Sequence, residues 1–238
     1  MKDHLKFMAW LAALLSATGA CAQKAADDYI GLGVAALRPS ASIGTLTSTG
    51  ANATAFNAAT GGASVDVSNE TTVSLGWLHM FSDQVGAEAT IGVPPRHTFD
   101  LATPSPFAGA AGHPNAATAK TWTPAVVAKY FFNAAGDRWR PYLGLGVSRV
   151  TFHSVQVNQA DPLVARVGGV SASLASDWSP VYNVGLVYHL NDRWMINSSV
   201  SYLPIRTTIH LVGAGNTSTQ GDLKLRTTDV VVRVGYRF

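Results

Sequence analysis

The final nine residues, Val230-Val-Val-Arg-Val-Gly-Tyr-Arg-Phe238, constrain the fold more than any other stretch. Successive side chains of an extended chain point to opposite faces. Val230, Val232, Val234, Tyr236 and Phe238 therefore share one face, while Asp229, Val231, Arg233, Gly235 and Arg237 share the other. An unbroken apolar column ending on an aromatic carboxy-terminus, backed by charge, suits the closing strand of a membrane-spanning barrel, with lipid outside and a polar lumen inside. The five outward residues are also expected to form the signal through which barrel-assembly machinery takes up the chain. The last half-buried strand of a soluble sandwich alternates in the same way, so the rest of the chain has to decide.

The amino-terminus narrows the compartment. Lys2 and Lys6 precede the apolar run Phe7-Met-Ala-Trp-Leu-Ala-Ala-Leu-Leu15, which is too short to span a bilayer. Ala20-Cys21-Ala22 offers small residues at the positions read by signal peptidase, which predicts a signal peptide over residues 1–22 and a cut before Gln23. A lipoprotein cut before Cys21 wants a large aliphatic residue where Thr18 stands. Cys21 is the chain's one cysteine, so residues 23–238, read as a single barrel domain, are left without a disulfide or thiol chemistry.

Charged residues make up 13% of the chain and the mean hydropathy is +0.14, yet no segment after the leader offers some eighteen continuous apolar residues for a helical span. A barrel satisfies all three observations, because only alternate residues need be apolar. The net charge of +3 gives little support to nucleic-acid binding, and none is expected.

Eight strand-like runs follow: Asp28–Arg38, Thr71–Phe81, Val85–Val93, Thr121–Phe132, Trp139–Phe152, Ser179–Leu190, Trp194–Leu211 and Lys224–Phe238. Long connections follow the first, third, fifth and seventh; short ones follow the second, fourth and sixth. Long outer loops with short periplasmic turns are the pattern of an antiparallel up-and-down barrel in a Gram-negative outer membrane. A sandwich has no reason to collect its long loops at one end. The aromatics agree. Phe81, Tyr130, Phe132, Trp139, Tyr188, Trp194, Tyr236 and Phe238 adjoin the short turns, and Trp122, Phe152 and Trp178 adjoin the long loops. Two such belts around aliphatic strand centres mark two lipid–water interfaces. The segment Ser40–Ser64, rich in Ala, Gly, Thr, Ser and Asn, reads as a mobile surface loop.

The run Trp77-Leu-His-Met-Phe-Ser-Asp-Gln-Val-Gly-Ala-Glu-Ala89 resembles the second hairpin of the OmpW family. Lys129-Tyr-Phe-Phe132 and Arg140-Pro-Tyr-Leu-Gly-Leu-Gly-Val147 resemble its fourth and fifth strands, and Val234-Gly-Tyr-Arg-Phe238 its terminus. The resemblance covers nearly all of the chain after the leader. It implies an eight-stranded outer-membrane barrel that passes small, mostly hydrophobic molecules and has no enzymatic activity and no cofactor.

Eight strands enclose a lumen that side chains nearly fill. Alternation points Glu88, Lys129, Arg140, Asn183, His189, Arg233 and Arg237 into it, where charges must pair or stay hydrated. Glu88 against the basic residues makes a polar plug that blocks a straight apolar route. A sideways exit is offered by Pro94 and Pro95, which end the third strand, and Pro124, which begins the fourth. Proline donates no ladder hydrogen bond, so three of them at one strand pair open the wall. The alternative is that they only terminate strands. Gly31-x-Gly33 and Gly144-x-Gly146 precede no helix and read better as small residues in a tight lumen than as dinucleotide motifs. The histidines lack metal-ligand spacing, and no metal is expected.

Two functions compete on these grounds. One is a passive outer-membrane channel for small hydrophobic ligands, favoured by the apolar loop Phe99–Phe107. The other is a non-transporting surface barrel serving adhesion, envelope integrity or reception of phage or toxin. Strongly charged loop hairpins would favour the second, and they are absent from the sequence.

Overall fold

The computed structural model describes residues 23–103, 112–166 and 169–238. The leader expected over residues 1–22 lies outside them, as does the loop beyond Thr103 up to residue 111. In chain order the elements are β1 (Asp28–Ile43), β2 (Thr47–Thr49), α1 (Ala53–Thr60), β3 (Ser64–Val67), β4 (Glu70–Met80), β5 (Val85–Gly92) and β6 (Arg96–Ala102). They continue with β7 (His113–Trp122), β8 (Ala125–Phe131), β9 (Trp139–Val157), α2 (Pro162–Arg166), β10 (Val170–Leu174), β11 (Asp177–His189), β12 (Trp194–Gly213) and β13 (Thr217–Arg237).

Eight of these strands form a closed antiparallel ring in the order β1, β4, β5, β8, β9, β11, β12, β13. Closure is made by β13 on β1, with Ile30 opposite Tyr236 and Val34 opposite Val232. A closed ring leaves no edge strand unpaired in lipid. The alternation in the last nine residues is realised as two faces. Val230, Val232 and Val234 are outside, 39 to 47% exposed, whereas Arg233 between them is 6% exposed. The same outward column recurs as Ile30, Leu32 and Val34 on β1 and Leu143, Leu145 and Val147 on β9. Inside, glycine makes room. A Cβ on Gly33 would run into the Val232 carbonyl, and one on Gly185 into the Tyr142 hydroxyl.

The short connections are tight turns. Phe81 N–H donates to Val85 O (2.8 Å), and the Asn191 side chain accepts from the N–H groups of Arg193 and Trp194 (both 2.9 Å). Around this end the rings of Trp139 and Tyr188 meet across strands with centroids 4.3 Å apart, and those of Trp194 and Tyr236 meet edge to face at 5.0 Å. Phe238 completes the belt. It is 71% exposed, and its N–H donates to Asp28 O (3.1 Å). Deleting Phe238 is expected to lower the fraction of heat-modifiable barrel recovered from outer membranes, because it removes both a belt residue and the end of the expected assembly signal. Equal folded yield for the deletion and the parent would count against that signal.

The strands run further outward than the sequence reading placed them. The β12–β13 ladder extends from Trp194↔Tyr236 to Gly213↔Thr217. At about 3.3 Å per residue and a tilt of roughly 40°, this rises about twice the height of the roughly 25 Å apolar band. The outer half of the barrel therefore stands above the membrane, and β3, β6 and β7 extend it through pairing with β9. Three expectations change here. Ser40–Ser64 is not a structureless loop. It contains β2 and α1, and Phe56 packs over Gly213, where any Cβ would collide with its ring. Thr121 and Trp122 do not begin the fourth barrel strand; they end β7, and β8 starts after Pro124. Phe152 does not join the outer aromatic belt. It lies on the inward parity of β9 and packs on Val150, Leu203 and their neighbours.

Candidate functional site: a branched lumen

The lumen is built in layers. Above the membrane, Leu46, Phe56, Phe99, Val164, Leu211 and Leu223 contribute to a chamber of about 140 Å³ with a wholly apolar lining. Of the apolar stretch Phe99–Phe107 singled out in the sequence, Phe99 and Leu101 lie in β6 and line the chamber, while residues 104–107 lie outside the described residues. Below the chamber, Val127, Val150, Val181, Leu203, Ile205 and Leu225 converge from five strands and narrow the bore. Each is the inward residue of a β-alternation, so the constriction follows from strand parity.

Next comes a cavity of about 80 Å³ that touches Glu88 and Arg233 at its base and Ser201, Leu203 and Asp229 on its sides. A second cavity of about 50 Å³ reaches the wall at Val93, Pro95 and Trp122. Both are lined by Leu37, Thr72, Gly92, Thr123, Leu203 and Asp229, so the two adjoin.

The wall cavity sits at a break in the ladder. Pairing of β5 with β8 ends at Thr90↔Ala125. Bonding across the same seam resumes only where Thr121 N–H donates to Pro95 O (3.1 Å), followed by Arg96↔Lys120. Pro94 and Pro95 join β5 to β6, and Pro124 joins β7 to β8, so all three flank this seam. They have no N–H to bridge it. The Pro124 carbonyl turns to β9 instead, accepting from Arg149 N–H and Ser148 Oγ–H, each at 3.0 Å.

Directly beneath, the bore is shut by a charged network. Glu88 Oε1 accepts from Arg233 Nη1 (2.8 Å), and Oε2 accepts from Lys129 Nζ (2.7 Å) and Asn197 Nδ2 (3.2 Å). Arg233 also donates through Nε and Nη2 to Ser74 Oγ. Lys129 donates to the Tyr142 hydroxyl (3.2 Å), which donates on to Asn197 Oδ1 (2.8 Å). Glu88, Lys129 and Arg233 are all buried, and each charge has several partners, as burial of ions demands. Under the network, Tyr29, Leu78, Met80, Phe131, Val187 and Met195 make an apolar floor.

The structure therefore separates the basic residues that the sequence grouped around Glu88. Lys129 and Arg233 reach it. Arg140 does not; fully buried at the periplasmic turns, it donates to Gln23 O (3.2 Å), Gln23 Oε1 (2.9 Å) and Asp83 O. Arg237 pairs with Asp27 (3.3 Å) at the rim. His189 lies inside near Tyr29, rings 6.5 Å apart, and Asn183 donates to Ser201 Oγ (2.9 Å) and Val200 O. The reason is height. These residues share the inward parity but sit on different rungs, and parity alone carries no rung-to-rung distance.

Sequence reasoning also left out Asn197, Ser74, Tyr142 and Asp229 as site residues. The first three complete the network. Asp229 lines both cavities, and its buried Oδ1 has no hydrogen-bond partner among the described residues. Its inward parity was visible in the closing strand, and a search for inward polar residues on every strand would have found all four.

Against known proteins, the chain matches the family model described as "OmpW family" over residues 27–238. Outer membrane protein W of Salmonella typhi is 30% identical over 173 residues, 73% of this chain and 76% of that protein. Outer membrane protein AlkL of Ectopseudomonas oleovorans is 27% identical over 147 residues, 62% of this chain and 57% of that one. Among solved structures, the crystal structure of the outer membrane protein OprG from Pseudomonas aeruginosa superposes with a TM-score of 0.77 at 25% identity, covering 91% of this chain and 98% of that one.

Proposed function

Because the chain belongs to the OmpW family and is an integral outer-membrane β-barrel, we propose that it carries small, mostly hydrophobic molecules passively inward and releases them sideways through its wall. The observation that carries this reading is the branched lumen. An apolar chamber outside and a constriction of apolar side chains lead to a cavity that adjoins the unpaired seam at Pro94, Pro95 and Pro124. Straight passage to the periplasm meets the Glu88 network and then the apolar floor.

The mechanism needs no energy source. An apolar solute gains by leaving water for the chamber, roughly 25 cal/mol per Å² of apolar surface covered. Charged groups of the network offer it nothing and would have to lose their partners to let it by. The seam instead opens toward the membrane interior, where the solute remains out of water. The direct test is uptake of a fluorescent hydrophobic probe by liposomes with and without the folded barrel. Faster uptake with protein is expected. An unchanged rate would favour a barrel acting at the surface without transport.

Asp229 tunes which solutes pass. Its carboxyl group borders both cavities and, once ionised, opposes any carboxylate brought near it. Asp229→Asn keeps the shape and removes the ionisable group. At alkaline pH it is expected to speed uptake of a fatty-acid-like anionic probe several-fold and to alter an uncharged probe of equal length little. Equal effects on the two probes would mean that Asp229 acts through packing alone.

A further inference from the structure

The outer surface carries a charge pattern that solute transport does not use. On β13 the lipid-side column reads, going outward, Val234, Val232, Val230, Thr228, Arg226 and Lys224. Arg226 thus lies four residues beyond the last apolar side chain of the column, roughly 13 Å along a tilted strand, which is headgroup height. The ladders bring two more cations to the same place. Arg206 on β12 stands directly opposite Lys224, and Arg38 on β1 stands opposite Thr228, next to Arg226. All four side chains are exposed. Across the barrel the pattern repeats: Arg96 on β6 stands directly opposite Lys120 on β7, both exposed and just beyond the lipid-facing Trp122.

Like charges directly opposite one another on a sheet destabilise it. This protein has two such pairs on its outer surface. Among the described residues neither pair is neutralised. Arg96 donates only to neutral partners, Thr118 Oγ1 (3.2 Å) and Gln156 Oε1 (3.3 Å). The one carboxylate on the outer part of the β1–β13–β12 face is Asp222, opposite Thr208, and none of these cations forms a salt bridge with it. A row of lipid-facing side chains, capped at headgroup height by unpaired Arg and Lys, is complementary to a molecule with several acyl chains under several phosphates. Arg206 and Lys224 project from adjacent strands and can close on one phosphate from two sides, with the arginine fork binding two of its oxygens.

We infer that Arg38, Arg206, Lys224 and Arg226, with Arg96 and Lys120 as a second locus, dock the phosphorylated glycolipid of the outer leaflet, the lipopolysaccharide class. The cations lie directly above the lipid-facing column rather than at the loop tips, which selects a membrane lipid over a soluble polyanion. The acyl chains lie along Val230, Val232 and Val234 while the phosphates bridge the cationic pairs. The bound lipid then relieves a repulsion that the bare barrel has to carry.

The test uses the full barrel in phosphatidylcholine nanodiscs. Lipopolysaccharide, dephosphorylated lipopolysaccharide or inorganic phosphate is added, and bound lipid is counted by native mass spectrometry alongside the thermal unfolding midpoint. Wild-type barrel is expected to retain lipopolysaccharide and to gain thermal stability, with dephosphorylated material binding roughly tenfold more weakly. Arg206→Glu with Lys224→Glu should lose most of both effects, while Arg206→Lys should keep them. Heat modifiability reports folding of each variant, and Arg206→Gln with Lys224→Gln replaces a charge reversal that fails to fold. Equal binding of phosphorylated and dephosphorylated lipid would overturn the inference. So would wild-type binding by the folded double variant, or full protection by inorganic phosphate alone, which would make this a free-anion site.

Discussion

Glu88→Gln is expected to lower the stability of the folded barrel by about 3 kcal/mol, the lower end of what is lost when one member of a buried ion network is removed. Two cations lose their counter-charge at once: Lys129, held at 2.7 Å, and Arg233, held at 2.8 Å. A glutamine still accepts through its one remaining oxygen, but its amide faces a second cationic donor. The adjoining cavity of about 80 Å³ can admit water to the stranded charge, which is why the lower end applies. The urea midpoint of the barrel in lipid vesicles measures this. Replacing the group as a whole, Glu88→Leu with Lys129→Met and Arg233→Met, is expected to recover much of the loss, because an apolar set of similar volume needs no counter-charge. An unchanged midpoint for Glu88→Gln would mean that the network contributes nothing to folding.

What was legible in advance follows from what a strand's sequence encodes. Lipid and lumen sides are written in the alternation, so the inward placement of Glu88, Lys129 and Arg233 could be read from three separate strands. The alternating long and short connections gave the topology for the same reason: a membrane allows only short turns on one side and tolerates long loops on the other. Partnership was not legible. Lys129 and Arg233 lie 41 and 145 residues from Glu88, and the stagger between neighbouring strands decides which inward residues share a height. Arg140 and Arg237 have the same parity and meet other partners at the periplasmic turns. The strand ends beyond the membrane were illegible for another reason. There both faces meet water or protein, the lipid constraint lapses, and Phe152 can pack inward although its position beside a long loop reads as a belt residue. The seam at Pro94, Pro95 and Pro124 was foreseeable because proline removes a donor wherever it stands. Its exact extent was not, since Thr121 and Trp122 belong to the outer hairpin and not to the wall.

A disulfide across the seam is expected to stop transport reversibly. Gly92 and Thr123 flank the seam between Thr90↔Ala125 and Arg96↔Lys120, and both line the lumen cavity and the wall cavity. A disulfide forms where the two Cα atoms can approach within about 7 Å, and a short bifunctional maleimide spans a wider gap. A Cβ on Gly92 would come 3.2 Å from the Val73 carbonyl, a contact that a shift of a few tenths of an ångström relieves. Cys21 is the only native cysteine and belongs to the expected leader, so the introduced pair has no competitor once that leader is removed. Oxidising Gly92→Cys with Thr123→Cys should bring uptake of a hydrophobic probe down to the rate of protein-free liposomes, and reduction should restore it. Gly92→Cys alone should respond to neither treatment. Stability should hold or rise, because the cross-link joins strands that already lie side by side and restricts the unfolded chain. Thiols that resist oxidation can be bridged by a short bifunctional maleimide, with the same expected block. A cross-linked, folded barrel that still carries the probe at the parental rate would exclude the seam as the exit and turn attention to the Glu88 network, which closes the straight way down among the described residues.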